Sequence, residues 1–273
     1  MRTFKLTLAY DGTNYAGWQL QNGPVTTLQG TLERVLEKIT GESIRVAASG
    51  RTDAGVHALG QVVSFRSGTQ LAPDVFQRAL NAELPRDMAA LDIVEAPADF
   101  HATKCARRKR YRYLIDDQPV RDVFMRGCAW QIFTPLDVAA MHRAAQALLG
   151  THDFSSFETS GSPRETSVRT IYGISVERRL GREAIPRVAP MHWRDASATH
   201  PVVIEVQADG FLYNMVRAIV GTLVEVGRGT QDESWLAQVL AARSRDAAGQ
   251  TAPPQGLFLV NVDYGRGEVD GRR

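Results

Sequence analysis

The sequence predicts an α/β (α+β) protein built from two related domains, and three observations support this fold class. The chain has 273 residues, close to twice the size of a typical domain. Its 44% hydrophobic and 23% charged residues are ordinary for globular proteins, which excludes a largely disordered chain and allows a sizeable core. Segments with the two-residue period of strands alternate with segments of helical period, and this order occurs twice.

The first half of the chain alternates strand and helix. Residues 3–10 alternate apolar and polar side chains, which predicts a strand. Residues 28–39 carry apolar side chains on one helical face, with a capping-box pair at Thr26 and Gln29 and a glycine cap at Gly41, which predicts a helix. The other predicted elements are strands at residues 44–49, 61–65 and 89–95 and a helix at residues 73–81.

The second half repeats this order. Its predicted strands are residues 110–115, 127–132, 169–177, 202–208 and 257–262. Its predicted helices are one that begins at Thr134 and Pro135 and ends at Gly150, and two more at residues 213–226 and 233–242. Residues 180–201 have no period and predict a surface insertion. We therefore expect an N-terminal domain at 1–103, a second domain at 104–265 and a disordered tail at 266–273.

The same sequence excludes several classes of protein. The most apolar region, residues 210–226, is interrupted by polar residues such as Arg217, so no segment suits a membrane helix. The strand-like start is not a signal peptide. Cys105 and Cys128 are far apart and form neither a disulfide framework nor a zinc motif. We therefore expect a cytoplasmic protein that does not act in a membrane.

A basic and aromatic run indicates where an acidic partner could bind. The net charge of +2 is too small to indicate a polyanion by itself. Tyr111 and Tyr113 nevertheless lie within a cluster of six cations that contains no acid: Lys104, Arg107, Arg108, Lys109, Arg110 and Arg112. Such runs are typical of RNA binding, and a solvated strand edge protected by charge is the alternative. Strand alternation places the two tyrosines on one face, with Arg110 and Arg112 on the other.

Two further segments hold candidate functional side chains. Residues 50–57 follow a predicted strand, and their two glycines allow a turn that presents Arg51 and Asp53 at a cleft. An ordinary Asp-Gly turn is the alternative for this segment. Arg217 lies in an apolar helix, where we expect it to be largely buried and therefore to need an anionic partner. A snorkelling arginine on a half-exposed helix is the alternative.

Six motifs together resemble the tRNA pseudouridine synthase A family. They are residues 50–57 with Gly60, Gln61, Val62 and Val63; Tyr10-Asp11-Gly12 with Tyr15, Gly17, Trp18 and Gln19; Asp99-Phe100-His101-Ala102; Arg110-Tyr111-Arg112-Tyr113; Asp153-Phe154 with Ser156 and Phe157; and Asn214-Met215-Val216-Arg217 with Ile219, Val220 and Gly221. Ordered agreement at six loci along nearly the whole chain is far more specific than agreement at one loop. The resemblance implies mixed, largely antiparallel sheets flanked by helices around a basic catalytic cleft.

The resemblance also implies a role for each candidate residue. Asp53 is the expected nucleophilic or base aspartate, and Arg217 is expected to pair with it. Tyr111 is expected to pack on the target uracil, and Arg51 to help extrude that base. Further residues expected to bind the RNA substrate are Phe100, His101, Lys104, Arg107, Arg108 and Arg164.

The implied reaction is the isomerisation of uridine to pseudouridine at positions 38, 39 and 40 of the tRNA anticodon stem-loop, by a homodimer. This reaction has no net redox change and transfers no group, so we expect neither a nucleotide cofactor nor a metal. The sequence has no phosphate-binding loop and no metal spacing beyond the isolated His101 and Cys105. A nearby Arg217 would lower the pKa of Asp53. Residues 180–201 are longer than the family leads us to expect, which affects only the rim of the cleft.

Two other functions would suit parts of this sequence. A non-catalytic RNA-binding module would also use two α/β units with tyrosines on a strand, but Asp53 would then repel phosphates to no benefit. A glycosidase-like hydrolase would need a second carboxylate acting with Asp53, and the sequence offers none in a matching position.

Overall fold

The structure, a computed structural model, describes residues 1–159, 166–179 and 200–265. Its tertiary contacts divide the chain into two units. The first consists of Met1–Lys109 and the residues from Phe258 onward, and the second of Arg110–Leu257. The predicted tail, 266–273, lies outside the described residues. So does the predicted insertion, 180–201, except for its last two residues.

Within the described ranges the chain forms ten strands and five α-helices. The strands are β1 (Arg2–Tyr10), β2 (Ala47–Ala48), β3 (His57–Ser67), β4 (Met88–Ala96), β5 (Arg108–Asp116), β6 (Trp130–Gln131), β7 (Gly150–Asp153), β8 (Val168–Arg178), β9 (Val202–Ala208) and β10 (Leu257–Asp263). The helices are α1 (Leu28–Thr40), α2 (Pro73–Glu83), α3 (Val138–Ala145), α4 (Met215–Gly227) and α5 (Trp235–Ala242).

The first unit has the strand order β4-β1-β3-β10, with β2 also paired to β3. All these pairings are antiparallel except that of β3 with β10. Helix α2 packs on β4, where the Gln77 side chain donates to Leu91 O at 2.7 Å. The rings of Phe4, Phe65 and Phe76 meet at centroid distances of 5.5 to 6.1 Å, which joins this helix to the sheet.

The second unit has the strand order β5-β9-β8-β7, with the short β6 parallel to β5. Helix α3 packs on β8 and on α4. Helix α4 is buried on most sides, and one of its glycines is required by the packing: a Cβ at Gly221 would lie 1.7 Å from Gln250 O. This almost wholly apolar helix is the core of the unit, and it carries Arg217.

The predicted fold class, α/β with mixed, largely antiparallel sheets flanked by helices, is confirmed. Most predicted elements are present, and β9 has the predicted bounds. Helix α1 has its glycine cap at Gly41, with φ of 72°. Its N-cap is Thr27, one residue after the predicted Thr26, because the Thr27 hydroxyl accepts from Gly30 N at 3.2 Å.

Other predicted elements differ from the structure. Helix α3 begins after Asp137, whose carboxylate accepts from Ala140 N, and the α-helix ends at Ala145. Gly150 does not close a helix but begins β7, a strand defined by antiparallel pairing with β8, the next strand along the chain. The predicted strands at 44–49 and 127–132 shorten to two residues each.

The last strand, β10, belongs to the first unit from Phe258 onward, whereas we expected it in the second domain. Phe258 and Leu259 pair with His57 and Ala58, and local sequence patterns do not reveal such long-range pairing.

In the described part of the chain, no helix combines the length and the apolar character needed to cross a membrane.

Candidate active site

Asp53 lies in the loop that joins β2 to β3 and is half-buried. Within the loop, Val56 N donates to Asp53 O at 3.2 Å. From outside it, Trp18 N donates to Thr52 O at 2.9 Å, which ties the loop to the polar segment that follows β1. The Asp53 carboxylate is therefore carried on a backbone held by contacts from another part of the first unit.

Two glycines of the segment after β1 permit this close packing. A Cβ at Gly12 would lie 2.0 Å from Val56 O, and one at Gly17 would lie 3.0 Å from Thr52 O. Gly17 also has φ of 94°, which disfavours any other residue. The motif around Gly12 and Gly17 thus forms the surface on which the Asp53 loop packs. Sequence reasoning assigned these glycines no role, although paired glycines are a signal that another backbone comes close.

Buried polar side chains hold the loop from beneath. The Tyr10 hydroxyl and the Thr52 hydroxyl share a hydrogen bond of 2.8 Å. The Gln61 amide donates to Gly50 O at 2.9 Å and accepts from the Ser49 hydroxyl at 2.7 Å. Burial, partly offset by hydrogen bonds with Thr52 and Gln61, raises the pKa of Tyr10 to about 12. The Tyr10 hydroxyl is therefore protonated at neutral pH and available as a donor.

His57 ends the loop and is 2% exposed. Its Nδ1 atom lies 3.1 Å from both Gly12 N and Asp11 Oδ1. One nitrogen cannot accept from the amide and donate to the carboxylate at once, so the tautomer of the ring decides which of the two hydrogen bonds is formed. The hydrogen bond with His57 is the main cause that lowers the pKa of Asp11 well below its usual range; burial opposes it and Thr13 reinforces it.

The basic run contains exposed cations and one that supports the loop. Lys104, Arg107 and Arg108 are exposed, as is Arg51 in the Asp53 loop. Lys109 is half-buried, and its Nζ donates to Ser49 O at 2.7 Å. The run therefore contributes both to the surface of the first unit and to the support of the loop.

Arg112 has a different environment from these cations. It is 7% exposed, and its Nε and Nη2 atoms donate to Glu205 Oε1 at 2.8 and 2.6 Å. Arg179 donates to the other oxygen of Glu205 at 3.2 Å. The pairing holds the pKa of Glu205 below its usual value although burial opposes it. Arg112 is thus a buried structural cation and not part of a solvated strand edge.

Tyr111 and Tyr113 differ in their surroundings within the second unit. Tyr113 is fully buried, and its hydroxyl donates to Pro253 O at 2.7 Å. Its ring packs edge-on against Trp130, and burial raises its pKa. Tyr111 is also buried, with 8% of its surface exposed, and it meets the half-buried Phe211 edge to face at 5.0 Å. Because Tyr113 is enclosed on every side, Tyr111 is the better candidate for packing on a base.

Arg217 is half-buried, less than we expected, and has neutral partners within its unit. Its Nε atom donates to Ala252 O at 2.7 Å, and its Nη1 atom donates to Asn214 Oδ1 at 2.7 Å. Asn214 was part of the sequence motif, but sequence reasoning gave it no role. Asp53 belongs to the first unit and Arg217 to the second, and their pairing stays a prediction.

The other predicted binding residues have mixed environments. Phe100 is 7% exposed and packs against Tyr264 with a centroid distance of 5.1 Å, so it is part of a core cluster. His101 is half-buried, and its Nδ1 accepts from Thr103 N. Arg164 lies outside the described residues. Residues 1–159, 166–179 and 200–265 contain no group of three His, Cys, Asp or Glu side chains that could hold a metal ion.

Comparison with known proteins gives one consistent result. The family model described as tRNA pseudouridine synthase matches residues 7–103 and 144–265. A tRNA pseudouridine synthase A from Moorella thermoacetica is 48% identical over 267 residues, covering 97% of this chain and all of the relative. Those from Halalkalibacterium halodurans and Myxococcus xanthus are 43% and 44% identical, covering 100% and 97% of this chain and 97% and 92% of the relatives. The chain therefore belongs to the tRNA pseudouridine synthase family.

Proposed function

We propose that this protein isomerises uridine to pseudouridine in tRNA, at positions 38, 39 and 40 of the anticodon stem-loop. The observation that carries the proposal is the Asp53 loop, where two family motifs pack together and hold a half-buried carboxylate. The target positions follow from the resemblance at the six motifs. A tRNA substrate also favours a cytoplasmic location, which cell fractionation tests.

The reaction balances without a cofactor. The bond between ribose C1′ and uracil N1 breaks, a bond between C1′ and C5 forms, the C5 proton leaves and N1 gains a proton. Asp53 can attack C1′, add to C6 or remove a sugar proton, and an ionised carboxylate is required for each of these steps. The packing of Gly12 and Gly17 against the Asp53 loop acts as a brace for its backbone. This brace lowers the cost of orienting the carboxylate, because its position is set before the substrate arrives.

Arg217 and Tyr111 have supporting roles in this proposal. Arg217 pairs with Asp53, which favours the ionised carboxylate and fixes its orientation. Tyr111 packs on the target uracil, a role supported by the enclosure of Tyr113. We assign the ring of Phe100 to packing and not to base contact, because it is part of the core cluster that contains Val62, Ala102 and Tyr264.

Base extrusion is assigned to Arg51. The target base must leave its stack before a carboxylate can reach its sugar, which costs a few kcal/mol. Arg51 is exposed, two residues before Asp53 on the same loop, so its long side chain can enter the space that the base vacates. Slower modification of a paired target than of an unpaired one in Arg51→Ala would support this role.

Phosphate binding is assigned to the exposed part of the basic run, Lys104, Arg107 and Arg108, and to Arg164 and His101. Guanidinium and ammonium groups bind phosphates by charge-assisted hydrogen bonds. Lys109 and Arg112 are left out of this set, because they already donate to Ser49 and Glu205.

A homodimer is the proposed assembly. Exposed apolar side chains on the second unit support it, since Val120, Val123, Phe124 and Phe133 are each more than half exposed. Light scattering of the purified protein tests the assembly, and Phe124→Ser should shift it toward monomer. Val168→Ser, at an exposed valine of the same unit, is the matched control. A monomeric wild type would contradict this part of the proposal.

Release of tritium from uracil C5 tests the activity itself. Purified protein is incubated with tRNA that carries tritium at C5, because C5 loses its hydrogen only when a new bond forms there. A non-catalytic binder would retain tRNA without release, and a hydrolase would liberate free uracil. Release confined to positions 38, 39 and 40, found by placing single labelled uridines, is the expected result.

A further inference from the structure

Asn214, at the start of α4, has an unusual backbone conformation. Its φ and ψ angles are 61° and 6°, in the left-handed region. In the described part of the chain, Arg243 is the only other non-glycine residue with positive φ. Asparagine tolerates this region better than most residues, but such strain persists only where surrounding contacts enforce it. The conformation therefore calls for an explanation in terms of what the side chain contacts.

The Asn214 side chain links Arg217 to the segment that follows β7. Its Oδ1 atom accepts from Arg217 Nη1 at 2.7 Å, and its Nδ2 atom donates to Thr159 Oγ1 at 3.2 Å. The Nε atom of the same guanidinium donates to Ala252 O at 2.7 Å. The backbone Ala252 N in turn donates to the backbone Arg217 O at 3.0 Å. Each of these hydrogen bonds restricts rotation of the guanidinium, and together they define its plane.

We propose that Asn214 is a positioning residue that sets the plane of the Arg217 guanidinium for the isomerisation. The inference rests on the role proposed above for Arg217. A guanidinium and a carboxylate interact best when their planes match, so rotation of Arg217 would misalign Asp53. A neutral amide at position 214 suits this task, because it anchors Arg217 without supplying a second carboxylate that would compete with Asp53.

Asn214→Gly tests the role of the side chain apart from the backbone. Glycine adopts positive φ without strain, so this variant keeps the turn and removes both side-chain hydrogen bonds. We expect kcat for tritium release to fall between about 10- and 100-fold, with KM for tRNA changed less than about twofold. Thr159→Val cuts the same link at its far end and should cause a smaller fall in kcat.

Repeating the substitution in an Arg217→Lys background separates positioning from a general structural effect. A lysine ammonium has no plane to orient, so Asn214→Gly should lower kcat less than about twofold there. A purely structural role would instead produce the same fold loss in both backgrounds. Thermal unfolding of each variant shows whether it is folded, and Thr159→Val serves in place of Asn214→Gly if that variant fails to fold.

The outcomes distinguish this inference from the proposed function. Absence of tritium release by the wild type would overturn the function, and wild-type rates in Arg217→Lys would overturn the role of Arg217. The positioning role alone would be overturned if the wild type releases tritium normally and Arg217→Lys is slow, but kcat is unchanged in Asn214→Gly. Equal fold losses of kcat in the two backgrounds would overturn it as well.

Discussion

The two units hold their candidate catalytic side chains in different ways. In the first unit, Asp53 is held through the backbone of its loop, against which Gly12 and Gly17 pack. In the second, Arg217 is held through its own side chain, by Asn214 and by Ala252 O. A backbone brace does not depend on which side chain it carries, whereas a side-chain anchor is removed with the residue itself. Substitution of Asp53 should therefore lower activity with little change in stability, whereas substitution of Arg217 should lower both.

The largest effect is expected at Asp53. Asp53→Asn keeps the loop brace and removes the carboxylate, so tritium release should fall by about three orders of magnitude or more. Stability should change by less than about 1 kcal/mol, and tRNA affinity should stay the same or improve slightly, because one negative charge is gone. Residual turnover within tenfold of wild type, measured with saturating tRNA, would contradict the assignment.

Arg217→Ala should affect both properties. Loss of the guanidinium removes electrostatic support for Asp53, so kcat should fall by about 10²-fold. The hydrogen bonds to Ala252 and Asn214 disappear with it, so unfolding free energy should fall by about 1–3 kcal/mol. Arg217→Lys should retain more of both. A fall in activity with unchanged stability in urea unfolding would mean that the side-chain anchor contributes nothing to the fold.

A substitution at Gly12 tests whether the packing against the Asp53 loop positions the carboxylate. Gly12→Ala places a methyl group 2.0 Å from Val56 O, so the loop must shift, which costs about 1–3 kcal/mol. A shift of about 1 Å should lower kcat roughly 10- to 100-fold although no candidate catalytic group is altered. Gly127→Ala, at a glycine with open space around it, is the control and should behave as wild type. Wild-type kcat in Gly12→Ala would show that the brace does not position Asp53.

The exposed and the buried cations should have different effects on the salt dependence of tRNA binding. Neutralising Lys104, Arg107 and Arg108 together should weaken tRNA binding and reduce the salt slope by roughly 0.7 to 0.9 for each phosphate that the variant no longer neutralises. Arg112→Gln, the buried control, should leave the slope unchanged and lower stability by about 1–3 kcal/mol, because Glu205 loses its two hydrogen bonds from Arg112 and keeps the 3.2 Å contact with Arg179. An unchanged slope in the triple variant with an intact fold would assign the run to a solvated edge.

The smallest effect is a pH dependence at the edge of the brace. The pKa of Asp11 is lower in the folded protein than its usual value, so its contribution to stability is complete above the unfolded pKa of about 3.9 and is lost as pH falls below it. Asp11→Asn should therefore lose less stability than the wild type between about pH 5 and pH 3. Parallel curves of melting temperature against pH would show that the contacts with His57 and Thr13 do not stabilise the fold.

Sequence reasoning reached the elements that local patterns specify. Helical period and a glycine cap predict α1, and strand period predicts β9. The strands predicted around β2 and β6 are too long, and β7 was expected to be the end of a helix, because pairing with β3, β5 and β8 decides which residues form a strand and a local pattern does not. Within the site, the Asp53 loop could be identified by its motif, but its brace could not, because a glycine does not indicate which backbone approaches it.

Charge was the least informative local signal. Lys109 and Arg112 lie in the same run as Arg107 and Arg108, yet only the latter pair is exposed. Exposure depends on whether the fold supplies an acceptor, such as Ser49 O or Glu205, and those acceptors come from distant parts of the chain. Similarly, the sequence motif does not identify Thr159 and Arg217 as the partners of the Asn214 side chain.

The parallel pairing of β10 with β3 has a consequence for biosynthesis. The ribosome adds residues 57 and 58 about 200 residues before their partners Phe258 and Leu259. During that interval the nascent first unit lacks the ring that stacks on His57 at 4.7 Å, and β3 lacks its parallel neighbour. His57, which ends the Asp53 loop, therefore gains this neighbour only after the second unit, Arg110–Leu257, has been synthesised.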